Sequence, residues 1–181
     1  KRCIQIGIRG SVNELDQWAF SHEQGMRVIY IEEFYELGVA GVIAEAQRVI
    51  GVYHELGKVV DQDLAQAAVW YGHAVRQNNA KAMRNLAQLY TRGRGVTQDL
   101  AAAGRLLRRS ADLGNAKAMR NLGYLFYFGN GVRQDSGEAS ALFQAAAEAG
   151  LDKAKYNLGF VYYNGDGVPR DLPRAAYLFG Q

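Results

Sequence analysis

Proline and cysteine are nearly absent: 2 prolines and 1 cysteine in 181 residues. So little proline argues against a β-sandwich, whose turns use it freely, and against a disordered linker. A lone cysteine, Cys3, cannot build a disulfide framework and leaves the redox compartment open. No stretch has the length and apolarity of a membrane span, and the first twenty residues do not form a signal peptide. The chain opens at Lys1, which is compatible with a leader already removed; a cytoplasmic setting is favoured. Charge of one sign is also scarce. Lys and Arg number 21 against 18 Asp and Glu, a net charge of +3, which does not call for nucleic acid. Hydrophobic residues at 49% and charged residues at 22% are ordinary for a globular protein.

What is present is a period. Ala80 opens AKAMRNLAQLYTRGRGVTQD, Ala116 opens AKAMRNLGYLFYFGNGVRQD, and Asp152 opens DKAKYNLGFVYYNGDGVPRD. The starts at 80, 116 and 152 are 36 residues apart, and a fainter copy, AEAQRVIGVYHELGKVVDQD, opens at Ala44. A fixed period of this size means a stacked repeat array.

Each copy reads as two helices. In the second, Ala82, Leu86, Leu89 and Tyr90 form one apolar stripe, and Ala103, Leu106, Leu107 and Ala111 form another. Gly57, Gly93, Gly129 and Gly165 stand where the first helices should stop in the left-handed conformation. Val60, Val96, Val132 and Val168 should plug the corners. Asp63, Asp99, Asp135 and Asp171 should cap the second helices, and Glu138 should complete a capping box with Asp135. Asn115 is placed to cap the next helix. Only the first copy lacks the second turn glycine, having Val59, and it carries His54 in place of Tyr90, Phe126 and Tyr162.

The AxAxxNLGxLYxxGxGVxxD pattern resembles the Sel-one-like repeat family, relatives of the tetratricopeptide repeats, over about 44–181. The likeness implies a right-handed α-solenoid that serves as an adaptor in protein complexes. The expected copies are 44–79, 80–115, 116–151 and 152–181, the last one truncated.

Residues 1–43 read differently. Ile4, Ile6 and Ile8 alternate as in a strand, Leu15 to His22 has helical spacing, and Met26–Ile31 is a second strand-like run. Glu32 onward is helical through Phe34, Leu37, Val39 and Val42. This predicts a short βαβ-like segment with parallel strands, so the fold class is mostly α: an α-solenoid of helix-turn-helix repeats behind that segment. The runs CIQIGIRGS, WAFSHEQGMRVI and EEFYELGVAGVIAEAQRVIG resemble the ureohydrolases, the arginases and agmatinases, over about the first 51 residues. An Asp-x-Asp strand bearing ligands for paired manganese should follow in that family; here Gly51 is followed by VYHELGKVVDQD. The likeness thus implies a fold fragment, with no metal ligand to carry over.

Chemistry is sparse. His22, His54 and His73 form no HExxH, and no Cys/His pair has zinc spacing. The glycine turns lack a phosphate-loop lysine. No catalytic residue, metal or cofactor is expected. Arg92, Arg94, Arg105, Arg108 and Arg109 read as a solvated face, and neither nucleic acid nor membrane is expected as a partner. The function expected is a non-catalytic scaffold binding a partner peptide or helix. The alternative is a fragment of a manganese-dependent ureohydrolase fused to repeats and inactive. In related solenoids the first helix of each pair lines the concave side. Its non-core positions include Arg84, Gln88, Arg120, Tyr124, Tyr127, Tyr156, Phe160 and Tyr163, the candidate partner-binding residues. Aromatic residues and arginine are frequent interface anchors. Asn85, Asn121 and Asn157 stand beside them. Self-association through the N-terminal segment or the last helix is a further expectation.

Replacing Gly129 by valine should lower the melting temperature, because a β-branched residue resists positive φ; an unchanged melt would remove its helix-ending role. The purified chain should release no urea from arginine or agmatine, with or without manganese, in a colorimetric assay.

Overall fold

The computed structural model describes residues 5–6, 28–29, 31–57 and 60–180. Strands β1 (Gln5–Ile6) and β2 (Val28–Ile29) pair in parallel, Gln5 opposite Val28 and Ile6 opposite Ile29. The helix expected between them lies outside the described residues, which hold a two-residue ladder rather than a βαβ unit. Eight helices follow among the described residues: α1 (Ile31–Leu56), α2 (Leu64–Arg76), α3 (Ala80–Arg92), α4 (Leu100–Asp112), α5 (Ala116–Phe128), α6 (Ser136–Glu148), α7 (Asp152–Asn164) and α8 (Leu172–Phe179). The main contacts join helices adjacent in sequence, as in a solenoid. Within α1, Gly38 adopts φ 63° and ψ 175° and breaks the helix, so the run expected as one helix through Leu37 and Val42 is two.

The core repeats with the sequence. Ala82, Ala118 and Ala154 on the first helices are fully buried, as are Ala67, Ala103 and Ala139 on the second. A bare methyl there lets neighbouring helices approach closely. Ser110 is also fully buried, where Ala74 and Ala146 stand in the flanking copies. Its hydroxyl donates to the Ala80 carbonyl at 2.7 Å, so the polar group is satisfied.

The helix ends follow the expected design, with two departures. Gly57, Gly93, Gly129 and Gly165 all have positive φ. Each is also crowded by the residue five positions on: a Cβ at Gly129 would lie 3.2 Å from the Gln134 Cβ. That neighbour has a task the sequence reading missed. Gln62, Gln98 and Gln134 donate side-chain N–H groups to the carbonyls of Glu55, Thr91 and Tyr127, and Arg170 does the same to Tyr163. Bare carbonyls at the end of each first helix are thereby satisfied. Asp63, Asp99, Asp135 and Asp171 accept from backbone N–H groups three residues on at 2.9, 2.7, 2.9 and 2.9 Å. Asn79 and Asn115 cap α3 and α5 in the same way.

The capping box at Asp135 does not form. The Asp135 N–H already donates to the Phe126 carbonyl at 2.9 Å, and the Glu138 carboxylate instead pairs with Arg108 of the preceding copy at 2.8 Å. The second departure is Val60. Val96, Val132 and Val168 pack against the buried clusters, but Val60 is 41% exposed and plugs nothing.

Two size relations lock the array. Gly95, Gly131 and Gly167 have φ of 71°, 72° and 73°. A Cβ on them would come within 2.3, 2.4 and 2.3 Å of Leu64, Leu100 and Ser136, the first residues of the preceding copies' second helices. Turn glycines therefore let one copy's corner rest on the backbone of the copy before. Among the described residues ahead of position 59 there is no second-helix start for such a corner to meet, and the sequence has Val59 there. The other relation lies within each pair. A Cβ at Gly51, Gly123 or Gly159 would stand 2.6 Å from the ring of Tyr71, Phe143 or Phe179. In the second copy the same two positions hold Ala87 and Leu107, both buried. A larger ring is matched by a missing methyl.

Gly123→Ala should therefore cost about 1–3 kcal/mol through overpacking against Phe143. Adding Phe143→Leu, which recreates the Ala87 and Leu107 combination, should recover much of that loss. Thermal melts of the two single variants and the double variant form the cycle, and strictly additive losses would refute the size match.

Candidate functional site

Helices α5 and α7 stand one copy apart and leave a groove of about 540 Å³ between them. Arg120, Tyr124, Tyr127 and Phe128 line it from α5, Phe143 from α6, and Lys153, Tyr156, Asn157, Phe160, Val161 and Asn164 from α7. Arg120, Tyr124 and Tyr127 fall at i, i+4 and i+7, which sets them on one face of α5. Tyr156 and Phe160 repeat that spacing on α7.

The rings divide into two kinds. Tyr124 is tied into the fold. Its ring stacks on Phe128 at 6.2 Å and meets Phe143 edge-on at 5.4 Å. Its hydroxyl accepts from Asn157 Nδ2 at 2.5 Å and from Arg120 Nη2 at 3.1 Å. Arg120 Nε also donates to Asn157 Oδ1 at 2.8 Å, and the guanidinium lies 4.9 Å above the Tyr124 ring. Asn157 thus joins one copy to the next. Tyr127 donates to Asp166 Oδ2 in the following turn at 2.5 Å, and this bond, with some burial, raises its pKa. The second kind is open: Phe128, Tyr156 and Phe160 are 60%, 54% and 44% exposed. Tyr156, Phe160 and Phe179 make a cluster of edge-to-face rings 4.9–5.3 Å apart.

Five of the expected residues thus line one groove: Arg120, Tyr124, Tyr127, Tyr156 and Phe160. Three stand elsewhere. Gln88 lines a smaller recess of about 240 Å³ with Thr91, Arg92, Asn121 and Tyr124. Arg84 is half-buried and donates to Asn85 at 2.6 Å, and burial lowers its pKa. Tyr163 is absent from the groove lining and has Arg170 5.8 Å above its ring. Sequence reasoning missed Phe128 and Lys153. Phe128 is the last residue of its helix and Lys153 lies in the first turn of α7, positions outside the i, i+4, i+7 face that the sequence singles out. Of the arginines read as a solvated face, Arg108 is held by Glu138 and lies 5.2 Å over the Phe126 ring, and Arg109 donates to Asn78.

A second polar cluster lies at the other end of the array. Glu45, 5% exposed, receives both Arg48 Nη2 at 2.7 Å and Arg48 Nε at 2.8 Å, and Asn79 Nδ2 at 3.3 Å. Burial alone would raise its pKa, but the Arg48 hydrogen bonds and charge prevail and lower it to about 2. Tyr71 is fully buried and donates to Glu55 at 2.5 Å; burial and that bond push its pKa up. The Nδ1 of His54 is buried without a partner among the described residues, so the histidine at this aromatic position is packed, not hydrogen-bonded through that atom.

A helical-repeat scaffold with an aromatic inter-repeat groove is the class these features define. The family model of the Sel1 repeat matches residues 80–115, 116–151 and 152–181, more than half of the chain, which therefore belongs to that family. A Sel1 repeat protein from Oxalobacter formigenes superposes with a TM-score of 0.73 at 31% identity, over 80% of this chain and 60% of that one. Cysteine rich protein B of Helicobacter pylori shares the fold, with a TM-score of 0.51 at 22% identity over 65% of this chain and 95% of that one. Proteins of this family are generally protein-interaction scaffolds.

The N-terminal part has different relatives. The Arginase family model matches residues 1–75. A guanidinopropionase of Pseudomonas aeruginosa is 60% identical over 50 residues, 28% of this chain and 16% of that protein. The mitochondrial guanidino acid hydrolase of Mus musculus is 39% identical over 51 residues, 28% of this chain and 14% of that protein. The chain thus spans about a sixth of the length of these curated relatives. Among the described residues no three His, Cys, Asp or Glu side chains gather as they would to hold a metal ion. Helix α1 also runs through Gly51 to Leu56, where a ligand-bearing strand would begin.

Because the Glu45 pKa is depressed, the unfolded chain binds more protons as pH falls from about 4.5 toward 2. Stability present above that window should be lost through it, by up to about 3 kcal/mol for a shift of this size. Glu45→Gln should be less stable at neutral pH and should flatten the acid limb of a denaturant-midpoint profile. Parallel acid limbs in the two proteins would show that Glu45 does not carry it.

Proposed function

We propose that the chain is a non-catalytic scaffold that binds a peptide or helix of a partner protein in the α5–α7 groove. The observation that carries this reading is the exposure of Phe128, Tyr156 and Phe160 around a concavity whose floor is fixed by the Arg120, Tyr124 and Asn157 network. Open aromatic anchors on a rigid base lose little entropy on binding. Family membership supports the scaffold role. In this reading 44–79 serves as a first, divergent repeat, and residues 1–43 are a segment shared with ureohydrolases that brings no hydrolysis with it. In this reading Gln88, whose recess shares Tyr124 with the groove, extends the contact, and Arg84 and Tyr163 are outlying positions for it.

Peptides should be selected from a random display library on the wild-type protein, and their affinities measured by calorimetry. Phe128→Ala/Phe160→Ala removes two exposed rings; circular dichroism should show the variant folded, with a melt lowered modestly by the lost ring contacts. Selected peptides should bind this variant about tenfold or more weakly. Equal binding to both proteins, or no enrichment at all, would overturn the groove as the site.

A further inference from the structure

The groove has a sign. Lys117 and Lys153 stand one copy apart in the first turns of α5 and α7, both exposed. Arg84 and Arg120 stand one copy apart further along α3 and α5, both half-buried. None of these four cations is ion-paired among the described residues, whose salt bridges join Arg48 to Glu45, Arg108 to Glu138 and Lys155 to Asp152. The residues lining the groove and the smaller recess include Arg92, Arg120 and Lys153 and no carboxylate; of the carboxylates beside them, Asp166 is held by Tyr127 and Asn164 at one edge and Glu55 acts on Arg84. Over the whole chain acidic residues nearly equal basic ones, 18 against 21, so the cations outnumber the carboxylates along this lining by arrangement. The donors point the same way. The Tyr124 hydroxyl accepts from Arg120 and Asn157 and donates to no described residue, which leaves its proton for an acceptor in the groove.

We propose that the occupant is an acidic peptide with one apolar anchor. The anchor enters among Phe128, Tyr156 and Phe160, while carboxylates lie on Lys153, Arg120 and Lys117 and continue toward Arg84. This rests on the groove being the binding site and adds the chemistry of what fills it. A single-stranded nucleic acid fits less well. Successive bases need flat platforms, whereas Tyr156, Phe160 and Phe179 meet edge-on at 61–81°. A protein segment offers both parts of the complement: desolvated apolar contact at the rings, and charge pairing that sets register and encounter rate.

The test uses the displayed random library on the intact chain. Enriched peptides should carry several Asp or Glu residues beside a Leu, Phe or Trp. Resynthesis with Asn and Gln at the acidic positions should weaken binding about tenfold or more, and so should Lys117→Glu/Lys153→Glu in the protein. Affinity should also fall as salt rises. Enriched peptides that lack acidic residues, or amide versions that bind as well, would overturn the proposal while leaving the groove reading intact. An oligothymidylate that displaces the peptide, and itself fails on the charge-reversed variant, would assign the face to nucleic acid instead. Loss of all enrichment, or peptides indifferent to Phe128→Ala/Phe160→Ala, would bring down groove and charge reading together.

Discussion

A backbone contact that tolerates no side chain sets the geometry of this molecule. The second glycine of each complete turn rests on the first residue of the preceding copy's second helix, at a distance where a Cβ would overlap backbone atoms. Everything else is measured from that joint. It fixes how far apart successive first helices stand. That spacing in turn lets Asn157 reach both Arg120 and Tyr124, and lets Tyr127 reach the next turn's Asp166. The groove is thus a by-product of the pitch. Its walls belong to different copies, but their separation is set several residues away, at the corner.

Much of this was legible before any coordinates. Strict 36-residue register gave the helices, their glycine stops and the aspartate caps, because each is a local requirement repeated at one offset. Pairs distant in sequence were less visible. The capping box at Asp135 satisfied a local rule, yet a carbonyl nine residues back had taken the N–H it needed, and an arginine thirty residues back took the carboxylate. The exchange of glycine and ring against alanine and leucine is written in the sequence at fixed positions, but only the packing shows that those positions touch.

The groove was half legible for the same reason. Helical spacing put Arg120 with Tyr124 and Tyr156 with Phe160, and stacking brought the two sets together. Spacing alone could not say which rings are spent on the fold. Tyr124 is enclosed by Phe128, Phe143 and two hydrogen bonds, whereas Tyr156 and Phe160 remain open. Nor could it separate Tyr163 from its neighbours, since a shared helix face does not decide where a groove ends.

The corner joint also gives the array a direction. The corner contact runs one way, each copy's turn resting on the copy before it, while the buried clusters are shared with the copy after. Ahead of Ala80 the sequence has Val59 where the later copies have a turn glycine and His54 where they have a core ring. Residues 44–51, which fit both the repeat pattern and the ureohydrolase likeness, thus lie ahead of the first corner that rests on a preceding helix.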